Sequence, residues 1–439
     1  MAQVRARATG AVAAVRGLDR PLALLAGMAF VVQIGVAVML PLLPLYAQQF
    51  GATPFVLGLL TSAHAVMGSV GQLAGGFLTE RFASRRLVAA GIGLYAGANI
   101  LIATATAALP LIVFRGLAGL GGGVNQVAER IYLTAVADRA RRAFSNGILS
   151  AAGAAGSVLG PVVGGLLVVV SDDLRVPFLL VGATSALATL GAFFLPQPRA
   201  LEAPDEVAGS TTAVAIAPLE GMATVDPPDP VSSPSIEAIP VAAPELDPGR
   251  RPIVALFFAQ LALNTGFGAF ITTYAIFATA SLGWTAVDVG IAWSMFGIGS
   301  VFLGPWLARQ ADRTGRRRMA VLGVIPVVCF GLVFAAGAPQ LLVYAAAVAA
   351  GGGLTGFEAS WFALLGTATD EGRRGRVFGT VSALSNLGVV VGALAAARIW
   401  EQVDIQLAVT LTALAFGLAG VIMLAYPVDR PAAPERAPA

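Results

Sequence analysis

From Pro21 to Tyr46 the chain reads PLALLAGMAFVVQIGVAVMLPLLPLY, without one charged side chain. A helix needs about 20 apolar residues to cross about 30 Å of hydrocarbon, and this run exceeds that length. Comparable runs recur near 55–77, 87–107, 110–135, 145–170, 177–196, 253–279, 287–308, 319–337, 340–366, 377–397 and 405–427. Within lipid, every backbone polar group must be satisfied internally, and segments of this length do so as helices. The expectation is an all-α membrane protein with twelve transmembrane helices, numbered here as spans 1 to 12. Only 12% of residues are charged, against about 25% in soluble domains, and the mean hydropathy is +0.81.

The 27 basic residues are all arginine. Without lysine there is neither a P-loop nor a Schiff-base nucleophile, so uphill work must draw on an ion gradient or another subunit. One histidine, His64, and one cysteine, Cys329, supply neither a metal cluster nor a nucleophile–base pair. An enzyme, a metal site, a cofactor and a nucleic-acid partner are therefore not expected. Arginines follow spans 2, 4, 8 and 10 and precede span 1, whereas Arg115, Arg175 and Arg398 lie elsewhere. By the positive-inside rule both termini are cytoplasmic, in a multi-pass protein of the cell's inner (plasma) membrane.

Between 197 and 252 the chain turns proline-rich and acidic, which reads as a disordered cytoplasmic linker or a regulatory loop. It divides the chain into a cytoplasmic segment over 1–20, a six-helix bundle over 21–196, a second over 253–427 and a cytoplasmic tail over 428–439. The halves match at an offset of 232 residues. Gly51, Thr53 and Gly58 meet Gly283, Thr285 and Gly290; Arg85 meets Arg317; Gly119 and Gly121 meet Gly351 and Gly353. Asp138 meets Asp370, and Gly147, Gly156 and Gly160 meet Gly379, Gly388 and Gly392. Two pseudo-symmetric six-helix bundles of this kind rock about a site near the bilayer midplane.

Three motifs add detail. The loop after span 2 carries Glu80, Arg81 and Arg85, and its counterpart carries Asp312, Arg313, Gly315 and Arg316. An acid and arginines at such a turn can cap helix ends or pair and release; a topology signal accounts for most of the arginines as well. In span 4, Arg115, Gly119, Gly122, Gln126 and Glu129 fall within about 40° of one helical line. Arg115 then either faces a cavity or snorkels outward. In span 5, Gly147, Gly156, Gly160, Pro161, Gly164 and Gly165 form G-x8-G-x3-G-P-x2-G-G. Its glycines make a small-residue ridge, and its proline is expected to bend the helix.

Together these features resemble the major facilitator superfamily over all but the linker and tails. The first loop is a degenerate copy of the family's loop signature, with Glu80 and Ala83 where aspartate and glycine are usual. The resemblance implies that span 4 lines a central cavity and that Arg115 takes part in proton coupling. It implies that spans 1 and 7 face the centre, making Gln33, Gln126, Gln260 and Asn264 candidates for the substrate cavity, and that the protein is a monomer. The span 5 pattern is associated with the antiporter branch, the proton-coupled exporters of drugs and small lipophilic compounds.

Proton coupling needs a buried group that changes protonation during the cycle, and desolvation can bring a carboxyl into range. Glu358 in span 10 is the first candidate, with a structural arginine pair as its alternative. Glu129 follows, with an ion pair to Arg130 as its alternative, and then His64, with a packing role as its alternative. Span 1 holds no acid, unlike that of several multidrug members. The expected partners are a small-molecule substrate, protons and the lipid bilayer. The expectation is proton-coupled efflux of a small lipophilic or amphiphilic solute; the alternatives are a proton-coupled importer of a sugar or carboxylate, and a non-transporting sensor or lipid-handling relative.

Overall fold

The computed structural model describes residues 20–136, 142–196, 250–369 and 374–425. The segment 1–19, the linker over 197–249, the loops with Asp138 and Asp370, the tail from 426 and the side chain of Asp312 lie outside the described residues. Span 1 comprises α1 (Arg20–Met39) and the short α2 (Leu43–Gln48). Spans 2 to 6 are α3 (Pro54–Thr79), α4 (Ser84–Ala103), α5 (Ala108–Val136), α6 (Arg142–Ser171) and α7 (Arg175–Phe193). Span 7 is α8 (Arg250–Ile276) with a π turn over Phe277–Ser281, and span 8 is α9 (Ala286–Phe302) with α10 (Gly304–Thr314). Spans 9 and 10 are α11 (Arg316–Ala335) and α12 (Gln340–Thr367). Span 11 comprises α13 (Arg374–Ser385) and α14 (Leu387–Gln402), and span 12 is α15 (Ile405–Leu424). By length and apolarity, eleven described helices can each cross a membrane, and the bent pair α9–α10 makes a twelfth span.

The halves repeat one packing scheme. In the first, α3 and α4 pack on α5, α1 on α6, and both α1 and α4 on α7; in the second, α9 and α11 pack on α12, α8 on α14, and both α8 and α11 on α15. Matched residues make matched contacts. A Cβ on Gly119 would strike the carbonyl of His64, and one on Gly351 the carbonyl of Phe296, its counterpart. Gly51 and Gly283 hold φ of 70° and 69°, a left-handed conformation that suits glycine, just before the caps Thr53 and Thr285. Thr285 and Asp288 form a reciprocal capping box on α9.

One expectation needs correction. The 232-residue offset fails in spans 1 and 7: Gly156 meets Phe30 and Ile34, and Gly388 meets Leu261 and Thr265, an offset of 231. The second half thus holds one more residue between α8 and Gly283, and the π turn over Phe277–Ser281 accommodates it, as a one-residue insertion into a helix does. α6 runs through Pro161 without a break in its helical assignment. A bend of 42° lies between α9 and α10, where Pro305 opens α10 and Gly304 sits against Thr355.

Replacing Gly351 with alanine should lower thermal stability, because overpacking against backbone costs about 1–3 kcal/mol. Gly97→Ala in α4, where a Cβ meets nothing within 4 Å, should be neutral or stabilising. Thermal unfolding of the two purified variants measures the difference.

Candidate substrate cavity

The halves touch along two pseudo-equivalent seams, α3 with α14 and α6 with α9. On one, a Cβ on Gly58 would approach the carbonyl of Ala393 at 2.9 Å; on the other, a Cβ on Gly290 would strike the carbonyl of Pro161. Pro161 and Ala393 are themselves counterparts, so the proline marks the seam. The span 5 pattern divides between two neighbours. Gly156, Gly160 and Gly164 receive the α1 backbone, while Pro161 and Gly165 meet α9, Gly165 at the carbonyl of Ala286. No described residue lies within 4 Å of a Cβ placed on Gly147, and nothing in the described structure explains it.

Hydrogen bonds join the halves from Phe55 N to Glu401 Oε1 at 3.0 Å, from Thr272 to Thr61 at 3.3 Å and from Asn386 Nδ2 to Ser69 Oγ at 3.4 Å. Arg398, which also pairs with Glu401 at 3.3 Å, lies over the Phe55 ring at 4.6 Å. These contacts run from the arginine-poor end of the bundle to about the middle of α3. Between the halves lies a cavity of about 1190 Å³, counting open solvent, which reaches from Pro44 and Leu57 to Gln72 and Gln126.

The first half supplies the polar wall: Gln33 on α1, Thr61, His64 and Gln72 on α3, Arg115 and Gln126 on α5 and Ser157 on α6. The second half supplies Phe267, Ile271, Trp293 and Val389, with Asn386 as its polar contribution. Gln72 Nε2 donates to Gln126 Oε1 at 2.8 Å, tying α3 to α5. Arg115 is buried, with Nη1 3.7 Å from the Met39 sulfur, and faces the cavity rather than snorkelling outward. Gln72, Thr61 and Asn386 were not singled out from the sequence. The signal existed in span 2, where Thr61, Ala65, Gly68 and Gln72 follow helical spacing along one face.

Four expected site residues do not line the cavity. Asn264 Nδ2 donates to the Ser385 carbonyl at 3.0 Å, which holds α8 against the break between α13 and α14. Gln260, one turn further toward Arg250, is buried away from it. Glu129 is half-buried and accepts from Asn125 at 3.4 Å. Glu358 is buried in α12, between Leu354 and Trp361 on the face turned to α8 and α9. Its carboxyl makes no hydrogen bond or ion pair with any described residue, so the arginine-pair alternative has no partner there.

The loop residues act within their own halves. Arg85 Nη1 donates to the carbonyl of Leu195 at 2.9 Å, beyond the end of α7. Its counterpart Arg317 donates from Nε to Met423 at 3.1 Å and from Nη2 to Leu424, at the end of α15. Both therefore cap the C-terminus of the last helix in a bundle, where carbonyls are unsatisfied and a cation is favoured. Arg316 donates to Ala363 at 3.3 Å, while Glu80, Arg81 and Arg313 are exposed. Gly315 has φ 97°, so the second loop requires its glycine; Ala83, with φ −57°, shows that the first turns differently and tolerates alanine.

Two bundles around a cavity, joined by paired seams, have the architecture of a membrane transporter. Residues 25–239 and 256–439 match the Major Facilitator Superfamily, and the chain belongs to that family. It is 26% identical over 166 residues to the quinolone resistance protein NorA of Staphylococcus aureus, covering 38% of this chain and 42% of that protein. It is 25% identical over 161 residues to an uncharacterised MFS-type transporter of Methanocaldococcus jannaschii, covering 37% and 42%. These matches span less than half the length of either relative. Among solved structures it is similar to the nucleoside transporter NupG, with a TM-score of 0.70, 12% identity and coverage of 93% and 99%. It is also similar to an inward-facing bacterial homologue of the lysosomal transporter Spinster, with a TM-score of 0.69, 13% identity and coverage of 93% and 97%. The protein is thus a multi-pass membrane protein of a transporter family.

Gly290→Val should hold the α6–α9 seam apart. Spin labels on the arginine-poor ends of these helices, in a Cys329→Ser background, should then show longer distances by double electron–electron resonance than in the parent.

Proposed function

We propose that the protein exports small lipophilic or amphiphilic solutes in exchange for protons, by alternating access, from the plasma membrane with both termini cytoplasmic. The observation that carries this reading is the place of the span 5 pattern. Its glycines receive α1, while Pro161 and Gly165 form the seam with the other half. That helix is therefore built into the contact that must part when the cavity changes sides. With the arginine-rich end cytoplasmic, the cavity opens inward, ready to collect solute from the cell or the inner leaflet. The partial likeness to a quinolone resistance protein supports a drug-type solute.

Glu358 is the proposed proton carrier. An ionisable group inside a bundle is costly and normally functional, and among the described residues this one has neither an arginine nor a hydrogen-bond donor to hold it in one charge state. Arg115, Glu129 and His64 are proposed to assist, since Arg115 and His64 face the cavity and Glu129 lies on the same helix toward its mouth. The loop arginines are proposed to stiffen each bundle so that it moves as one body.

The test is proton exchange by purified protein in liposomes with an internal pH dye, an acid interior and lipophilic solutes of either charge added outside. Solute-dependent proton loss is expected from the parent protein. Glu358→Gln, which keeps the side-chain shape, should abolish the pH dependence of transport while leaving the protein folded. Retention of pH-dependent exchange by that variant removes Glu358 from the mechanism.

A further inference from the structure

We propose that Glu401 is the latch that holds the arginine-poor end of the molecule shut, by capping a helix of the other half. The inference rests on the export reading only in taking the two halves to part at this end.

The repeat shows what sets this contact apart. The counterparts α3 and α9 open on the same N-cap residue, Thr53 and Thr285. In α9 the acid that completes the cap is its own: Thr285 N donates to Asp288 Oδ2 at 2.9 Å, and Asp288 N donates to Thr285 Oγ1 at 3.2 Å. The corresponding residue of α3 is Val56. Its N–H still reaches Thr53 Oγ1 at 3.4 Å, and Leu57 N bonds the Thr53 carbonyl at 3.1 Å. Pro54 has no N–H to place. The remaining donor of the first turn is Phe55 N, and it donates to Glu401 Oε1 of the other half at 3.0 Å. A carboxylate is favoured there by the positive end of the helix as well. The acid missing from α3 is thus supplied from across the seam.

The same carboxylate is held from its own side. Its Oε2 pairs with Arg398 Nη1 at 3.3 Å, and the Arg398 guanidinium lies over the Phe55 ring at 4.6 Å. Phe55 is therefore gripped at backbone and ring by two residues one turn apart on α14. The Glu401 side chain is 24% exposed against 59% for Arg398, so the carboxylate is the enclosed member of the pair. One turn further into the seam, Gly58 lies against Ala393 and Ala397, which places the latch at the arginine-poor end of that contact. In the companion seam Arg398 and Glu401 correspond to Leu166 and Val169, so among the described residues this device belongs to one seam alone. Opening the cavity at this end requires the bond from Phe55 N to Glu401 to break.

The experiment measures distances across the seam in the full-length protein in lipid nanodiscs. Spin labels go on Gln49→Cys and Val403→Cys, two exposed positions on either side of it, in a Cys329→Ser background. Double electron–electron resonance is recorded with and without Gly290→Val, which the companion seam cannot accommodate. Glu401→Ala should raise the ratio of long to short distances about 10-fold, the effect of losing a partly screened charge-assisted bond. Glu401→Gln, which keeps an acceptor, should raise it less. A purely structural role for Glu401, as the cap of α3, is separated by Val56→Asp, which gives α3 an acid of its own on the pattern of Asp288. Added to Glu401→Ala, it should recover thermal stability and leave the distances long. Short distances restored by Val56→Asp, or distances unmoved by Glu401→Ala in both backgrounds, overturn the latch. Should Glu401→Ala fail to fold, Val56→Asp alone decides. It competes for the cap and repels the carboxylate, so the distances should lengthen, and unchanged distances reject the proposal. Lengthened distances together with a parent protein that exchanges no protons in liposomes sink the export reading and leave the latch standing. Proton exchange by the parent with unmoved distances does the reverse.

Discussion

The structure depends on backbone meeting backbone at small residues. Between helices in lipid there is no water to expel, so association rests on close packing and a few polar contacts. Gly119 on His64, Gly351 on Phe296 and Gly156 on Phe30 set the crossings within the bundles. The same device joins the bundles, at Gly58 with Ala393 and at Gly290 with Pro161. These seams have little side-chain interlock, and the hydrogen bonds across them contribute only about 0.5–1.5 kcal/mol each. An interface of this kind is close enough to shut out solvent and weak enough to open.

Function has been added to the repeat by breaking it. Thr61 on the first half corresponds to Trp293, His64 to Phe296, Arg115 to Ala347 and Gln126 to Glu358. The glycines between them stay matched, because they hold the scaffold. The cavity's polar side chains therefore come mostly from one half and its aromatic rings from the other, without disturbing the helix crossings. The symmetric backbone surrounds an asymmetric chamber.

The arginine loops show how a charge motif can be structural and directional together. Arg85 and Arg317 bind the carbonyls at the end of the last helix of their own half, tying α4 to α7 and α11 to α15 at the arginine-rich end. The difference between the loops, Gly315 at positive φ against Ala83 in extended backbone, shows that the degenerate first copy is a different turn.

The sequence by itself determined the helices, their number and the two-fold repeat, because lipid permits an apolar run of this length hardly any other structure. The family resemblance made Gln33 and Gln126 cavity candidates, and the structure finds both at the cavity with Arg115 and His64. What only the tertiary structure decided was which faces meet. Asn264 and Gln260 were as plausible as Gln33 in sequence, yet the break in span 11 draws Asn264 away to Ser385. Gln72 and Asn386 became visible only when α3 and α14 came together across the halves. The one-residue slip at the π turn and the solitary position of Glu358 were equally hidden. Periodicity along one helix says which side chains share a face, but the rotation of that helix against its neighbours is set by contacts between residues far apart in the chain.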